Sequence, residues 1–397
     1  MLAEAWRRAR TPPSGPVYVE VPFDVLHAPA EVDVGDLDGA REPGALPAPA
    51  ELDRASALLA RAERPLLVAG GGTVRSGAGA ELLDLAVRLD APVATTYTGK
   101  GAISERHPLA LGSAWDDEPH RELVAESDVV LVVGSWLGYE LADSFRDFSG
   151  TLIQVDAARE RIGIVCPALG LVGDAKAVLG QLLARIEPTP PRGGERRVAA
   201  VRARVGRVLE EQGSPLALDL LRTVEDVLPE GAAAAWDSTI LAYTACWYLR
   251  AHEPRAFLYP AGSSTLGYAW PAALGAAAAL PGVPVLAIVG DGGFQYGIAE
   301  LATARQHALD VTLVVIDDGG YGILREYQGE AGFAHTGVDL VHPDFAALFD
   351  AYEIPVRRSE RGRLRDDLAW ALEQRGPSAV VLEDVLRMPV PSALADL

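Results

Sequence analysis

Short aliphatic runs, each closed by glycine or an acid and followed by a stretch of helical spacing, set the rhythm of this chain. Pro65–Ala69 runs into Gly70-Gly71-Gly72, Val129–Val133 into Gly134, Thr151–Val155 into Asp156, Val285–Val289 into Gly290-Asp291-Gly292, and Val311–Ile316 into Asp317-Asp318-Gly319-Gly320. Runs this short, apolar at successive positions, predict strands buried on both faces. Pro92–Thr95 and Ala379–Leu382 complete the set. Helical patterns lie between them, at Leu52–Arg61, Ala80–Leu89, Val198–Gln212, Leu216–Leu228 and Asp344–Leu348, with Ile298, Leu301, Ala302 and Arg305 spaced as one helical face. Strands alternating with helices predict an α/β architecture of doubly wound parallel sheets.

Composition shifts divide the pattern. Residues 28–50 are rich in Pro, Gly, Ala and acids without periodicity, and residues 186–213 carry Pro-Thr-Pro-Pro, Gly-Gly and a basic cluster that reads as a solvated run before a helix. These linkers leave a fragment at 1–27, one sheet domain at 51–185 and a second at 214–397. In the fragment, Leu2–Ala9 reads as a helix, Thr11–Gly15 as a turn and Val17–Val21 as a strand closed by Pro22.

With 397 residues there is chain enough for two or three cores. No apolar run reaches the ~18 to 20 residues of a membrane helix, and the first residues lack a basic-then-apolar leader, so cytoplasm is expected. A net charge of −20 argues against nucleic acid. The two cysteines, Cys166 and Cys246, lie far apart in apolar surroundings and read as two reduced, buried thiols.

The densest chemistry lies in the strand, helix and strand from Val283 to Gln328. A parallel crossover brings both acidic loops to the carboxyl edge of one sheet, where open α/β sheets hold ligands. Asp291 and Asp318 stand 27 positions apart. Carboxylates brought together with no basic residue in either loop repel unless a cation joins them, and oxygen ligands suit Mg2+. The flanking glycines let backbone amides approach a diphosphate. Either Asp-Gly pair alone would read as a turn; both at this spacing point to a site. Ser238 and Thr239 are short donors suited to phosphate oxygens, and Asp237 could equally cap a helix. Gly70-Gly71-Gly72 lacks the full dinucleotide fingerprint. Lys100 reads as a surface or packing residue and His107 as a turn residue. His335 and His342 could serve as acid or base, although a lone loop histidine is usually solvated.

The Gly290-Asp291-Gly292 triplet, the Glu300-Leu301-Ala302-Thr303 helix and the Gly320-Tyr321-Gly322 tail, at this spacing, resemble the thiamine diphosphate enzymes of the acetolactate synthase and benzoylformate decarboxylase type. In that family a Gly-Asp-Gly triplet and a distant Asn-Asn pair bind Mg2+ and the cofactor's diphosphate. The resemblance implies Asp291, Asp318 and the Gly320 carbonyl as metal ligands. It implies cofactor contacts at Asp237, Ser238, Thr239, Gly262, Ser263, Ser264, Leu266, Gly290, Gly292, Gly293 and Tyr321, with Leu266 as the wedge under a bent cofactor and the Ser264 carbonyl facing its 4′-amino group. Asp317-Asp318 departs from the usual asparagine pair, and the added charge is expected to tighten the metal and repel the diphosphate.

Residues from Ala50 to about Leu183 resemble the family's middle domain, through Thr98-Gly99-Lys100-Gly101-Ala102-Ile103, His107-Pro108 and Ser127 to Gly134. Some relatives hold FAD there; nothing here indicates it. Gly-Pro-Val-Tyr-Val-Glu-Val-Pro at 15–22 resembles the close of the family's first, pyrimidine-binding domain, which supplies a catalytic glutamate. The chain therefore reads as a truncated frame rather than a split enzyme, with no catalytic residue assigned. The implied activity is addition of the thiazolium carbon to a 2-oxo acid and release of CO2, followed by protonation, as in decarboxylases, or by attack on a second carbonyl, as in acetolactate synthase. A homodimer or homotetramer is implied, with a separate pyrimidine-domain subunit as a further partner. A non-catalytic remnant or subunit is the alternative, and a pure NAD-binding protein ranks third.

Overall fold

The computed structural model describes residues 1–31, 46–212 and 215–387. Most of the first linker and the last ten residues of the C-terminal tail lie outside the described residues. The strands are β1 (Pro65–Ala69), β2 (Val93–Thr95), β3 (Ala110–Gly112), β4 (Val129–Val133), β5 (Thr151–Asp156), β6 (Ala168–Val172), β7 (Ala233–Trp236), β8 (Phe257–Leu258), β9 (Val285–Gly290), β10 (Val311–Asp317), β11 (Val356–Ser359) and β12 (Ser378–Glu383). They form two six-stranded sheets, ordered β3-β2-β1-β4-β5-β6 and β11-β12-β10-β9-β7-β8, and every pairing within them is parallel.

Each sheet is apolar on both faces because each carries helices on both faces. In β1 the odd positions Leu67 and Ala69 join one core with Leu82, Leu85 and Val178, while Leu66 and Val68 join another with Leu123, Val198 and Val201. The second sheet divides likewise. Leu286 and Ile288 pack with Leu220, Leu241 and Leu368, whereas Val285, Ala287 and Val289 pack with Trp270, Phe294 and Phe349. The helix after β9 presents Leu301 and Ala304 to this core; Ala302, expected on that face, is exposed.

The domains are joined by polar contacts that close on buried groups. Ser113 Oγ donates to the Cys246 carbonyl at 2.6 Å, Trp247 Nε1 to Asp116 at 2.9 Å and Tyr248 Oη to Asp117 at 3.0 Å. Of the two readings of Lys100, packing rather than surface is the one found: it is 3% exposed, donates to Ser113 Oγ at 2.8 Å and lies 3.5 Å from Glu105. The basic cluster of the second linker is solvated only in part: Arg196 is exposed, but Arg192 and Arg197 are not. Arg192 donates to the carbonyls of Leu59, Ala60 and Leu89, and Arg197 to that of Pro65, so these side chains stitch the linker to the first domain.

Other local expectations are corrected. Val17–Val21 joins no sheet, and residues 1–27 bury no side chain. Cys246 is buried and Cys166 only half-buried, both as free thiols. Gly70-Gly71-Gly72 follows β1 at the point where the strand order reverses, between β1 and β4. There Gly72 N donates to the Gly134 carbonyl at 2.9 Å, and a Cβ at Gly70 would stand 2.3 Å from that oxygen. The glycines serve a crossing of two loops. No helix among the described residues is long and apolar enough to cross a membrane.

Candidate functional site

In the second sheet the strand order reverses between β7 and β9, since β8 lies outside β7 on one side and β9 and β10 on the other. Such a reversal opens a crevice at the carboxyl ends of the strands. Ser238 and Thr239 follow β7, Asp291 follows β9 and Asp318 follows β10, so one crevice collects all four. Register enforces it: Trp236 pairs with Ile288, and Ile316 with Gly290. A cleft of about 220 Å³ results, lined among others by Ser238, Thr239, Ser264, Leu266, Gly290, Asp291, Gly292, Gly293, Asp318, Gly320 and Tyr321.

Of the metal and cofactor contacts expected from sequence, only Asp237, Gly262 and Ser263 do not line it. Gly262 and Ser263 lie exposed. Asp237 is fully buried and accepts from the amides of Gly267 and Tyr268, both at 3.0 Å. It is not the cap of the helix Ile240–Tyr248, which is Thr239, accepting from Ala242 N. Asp237 instead ties down the 264–268 loop that presents Ser264, at φ +47°, and Leu266, 37% exposed. Burial raises its pKa against those amide bonds. Gly293 must be glycine, because a Cβ there would lie 2.0 Å from the Asp237 carboxylate.

The acid loops carry unanswered charge. Asp291 is 1% exposed and its Oδ2 has no hydrogen-bond partner; Asp318 Oδ1 also lacks one. Burial first, and then the Asp318 charge, push the Asp291 pKa up to about 6. Asp318 is likewise raised by burial, against the pull of Arg325. Acceptor oxygens buried without donors are costly unless a cation or proton sits between them.

Backbone geometry shapes the second loop. Gly319 and Gly320 have φ of +81° and +151°, values costly for residues with a Cβ. They let the chain double back, with Leu340 N donating to the Gly319 carbonyl and Tyr321 N to that of Val338. This pairing does not use the Gly320 carbonyl. Arg325 locks the turn through the carbonyls of Asp318 and Gly319 and the Asp339 carboxylate. The Tyr321 ring covers Gly292, where a Cβ would meet it at 2.6 Å.

The doubling back delivers a residue that sequence reasoning left as a solvated alternative. His342 Nε2 lies 3.1 Å from Asp317 Oδ1 and 3.6 Å from Asp291 Oδ2, and its ring stacks on Phe345 at 5.0 Å. Nothing in the local sequence marks it; only the antiparallel bridge of Gly320 to Asp339 brings it there. The other loop histidine, His335, stays exposed beside Gly329.

A cleft offering glycine amides, hydroxyl donors, an exposed leucine and two acids each with one oxygen lacking a donor fits one end of a diphosphate held through a cation. Comparison with known proteins points the same way. Residues 52–182 match the thiamine pyrophosphate enzyme central domain, and residues 238–382 the thiamine pyrophosphate enzyme C-terminal TPP binding domain. A Pseudomonas aeruginosa protein named as a probable 2-ketoarginine decarboxylase is 37% identical over 92% of this chain and 66% of its own length. A probable acetolactate synthase large subunit of Methanococcus aeolicus is 28% identical over 91% of this chain and 65% of its own. The chain thus spans slightly under two thirds of these relatives. A crystallographic chain from Mycobacterium smegmatis, described as a thiamin diphosphate-dependent enzyme, superposes with a TM-score of 0.75 at 25% identity, covering 96% of this chain and 72% of that one.

Proposed function

This chain belongs to the thiamine pyrophosphate enzymes, and from that membership we propose that it takes part in the decarboxylation of a 2-oxo acid, or in acetolactate synthase-like carboligation, with thiamine diphosphate held in the cleft between β7, β9 and β10. The observation that carries the reading is that Asp291 and Asp318, each with one buried oxygen lacking a donor, line the same glycine-rich cleft at the strand-order reversal. Asp291, Asp318 and the Gly320 carbonyl hold a divalent cation, Mg2+ in the first instance. Ser238, Thr239 and the amides of Gly292 and Gly293 receive the diphosphate, and Gly290 gives the chain room beside Thr239. Leu266, Ser264 and Tyr321, which line the same cleft, would contact the cofactor there. Asp237 acts through the loop it fixes.

Thiamine diphosphate, when bound, supplies the carbon nucleophile that makes CO2 loss from a 2-oxo acid feasible. The chain's own contribution is to bind the diphosphate end, orient it and exclude water from that end. At about 220 Å³ the cleft is smaller than the ~300–1,000 Å³ of pockets that bury a whole ligand, which suits a site completed across an assembly, a homodimer or homotetramer. The test has two parts. Equilibrium dialysis with thiamine diphosphate and Mg2+ should show binding that is lost in Asp291→Asn. CO2 release should then be measured with pyruvate and with 5-guanidino-2-oxopentanoate. Binding with release supports the full reading, and binding without release assigns a non-catalytic cofactor-binding role. No binding overturns both.

A further inference from the structure

Tyr243 lines the cleft beside Ser238 and Thr239, and its phenol has a partner there. Its Oη lies 2.9 Å from Ser238 Oγ, a contact in which either oxygen can be the donor. The helix Ile240–Tyr248 fixes this meeting. Thr239 caps it, accepting from Ala242 N at 3.2 Å, and Tyr243 N donates to the Thr239 carbonyl at 3.0 Å. Tyr243 therefore stands one turn above the Ser238-Thr239 step, and its side chain leans back over that turn, as long side chains on helices do. Ser238 is only 6% exposed, so bulk water offers its hydroxyl little. Tyr259 brings a second phenol within hydrogen-bonding reach of Ser238 and Ser264, and burial raises its pKa, which keeps it protonated.

Counting hydrogens decides which oxygen donates. A hydroxyl has one hydrogen and two lone pairs, and ionised phosphate oxygens are acceptors. If Ser238 donated to Tyr243, it would have no hydrogen left for a phosphate. If Tyr243 donates, the serine hydrogen is free to turn into the cleft. The phenol, with an ordinary pKa of ~10, is the more acidic of the two groups and the better donor. We propose that Tyr243 is a positioning residue for the cofactor's diphosphate: it donates to Ser238 Oγ and so commits the Ser238 hydrogen to a phosphate oxygen. The inference rests on the proposed function, in which Ser238 receives the diphosphate, and gives that contact its direction. A hydroxyl held in this way is set before the ligand arrives, whereas a free rotor must be fixed at the moment of binding.

The test uses the whole chain with Mg2+, titrated in a calorimeter with thiamine diphosphate and with inorganic pyrophosphate, which carries the same kind of acceptor oxygens without the rings. Tyr243→Phe keeps the ring and removes the donor. It should weaken both ligands about 5- to 30-fold, as expected when one hydrogen bond to a charged acceptor is misdirected, with a cooperative melt in the absence of ligand showing that it folds. Made on a Ser238→Ala background, the same substitution should cost less than about twofold, because the hydroxyl it orients is already gone. A loss of equal size on both backgrounds assigns the phenol a packing role and overturns the inference. Equal binding by Tyr243→Phe and wild type overturns it too, as does a loss seen in Tyr259→Phe and not in Tyr243→Phe. Each of these three results leaves the proposed function standing. Wild type that binds neither ligand overturns the proposed function, and this inference with it.

Discussion

Asp291 should make the cation-free protein less stable than its own amide variant. Its carboxyl lies 1% exposed, and burial followed by the Asp318 charge carries its pKa from 3.8 to about 6. That difference of about two units, at ~1.36 kcal/mol each, places an upper figure of about 3 kcal/mol on what its ionisation costs the fold. The sign follows from proton uptake. The folded chain holds this proton more tightly than the unfolded chain, so stability is full below about pH 4, falls as pH rises, and is lowest above about pH 6. Asp291→Asn removes the titrating charge and keeps the shape. In EDTA at pH ~7.5 the variant's second domain should melt above wild type by up to about 10 °C, at ~2–4 °C per kcal/mol for a domain of this size. The difference should shrink towards zero near pH ~4. A divalent cation should raise the wild-type midpoint and leave the variant unmoved. A variant that melts at or below wild type in EDTA at that higher pH would refute the claim that these acids are held together against repulsion.

Three further perturbations probe other parts of the account. Gly293→Ala places a Cβ 2.0 Å from the Asp237 carboxylate, so that carboxylate must leave the amides of Gly267 and Tyr268; a loss of about 2–4 kcal/mol in denaturant unfolding and weakened cofactor retention are expected. His120 is fully buried with both ring nitrogens unpartnered, and burial, then Arg202 and Lys100, hold its pKa down near 3. It stays neutral in the fold while the unfolded chain takes up a proton below about pH 6.5, so about 2 kcal/mol should be lost between about pH 6.5 and 5, a slope that His120→Phe should flatten in urea unfolding. Lys100→Met leaves the buried Glu105 without the ammonium 3.5 Å away within the first domain, and about 3–5 kcal/mol of destabilisation is expected by thermal unfolding; an unchanged midpoint would contradict a paired role.

The two sheets were legible because parallel strands buried on both faces write continuous apolar runs, and β1, β4, β5, β9 and β10 match the runs read from the chain within a residue or two. β3, β6, β8 and β11 escaped: all four lie at the sheet edges, and β3, β8 and β11 have four residues or fewer, where sequences such as Ala110-Leu111-Gly112 are too brief to stand out from a loop. The cleft was legible for a different reason: Asp291, Asp318 and their glycines sit directly at strand ends, where topology alone brings them together. Residues placed by long-range pairing were not. His342 reaches the acids only because Gly319 and Gly320 turn the chain back against 338–340. Lys100 and Arg192 likewise find their partners on segments that local sequence does not connect to them. Asp237 shows a middle case, correctly near the site but acting on the 264–268 loop.

The central claim is that separate acid loops share one cation that anchors a diphosphate. Crystals grown with Mn2+ and thiamine diphosphate test it by anomalous scattering. The account predicts a manganese peak within roughly 2.2 Å of an Asp291 carboxylate oxygen, adjoining density for the diphosphate over Gly292 and Gly293. A peak bound away from Asp291, or diphosphate density elsewhere in the molecule, would contradict it.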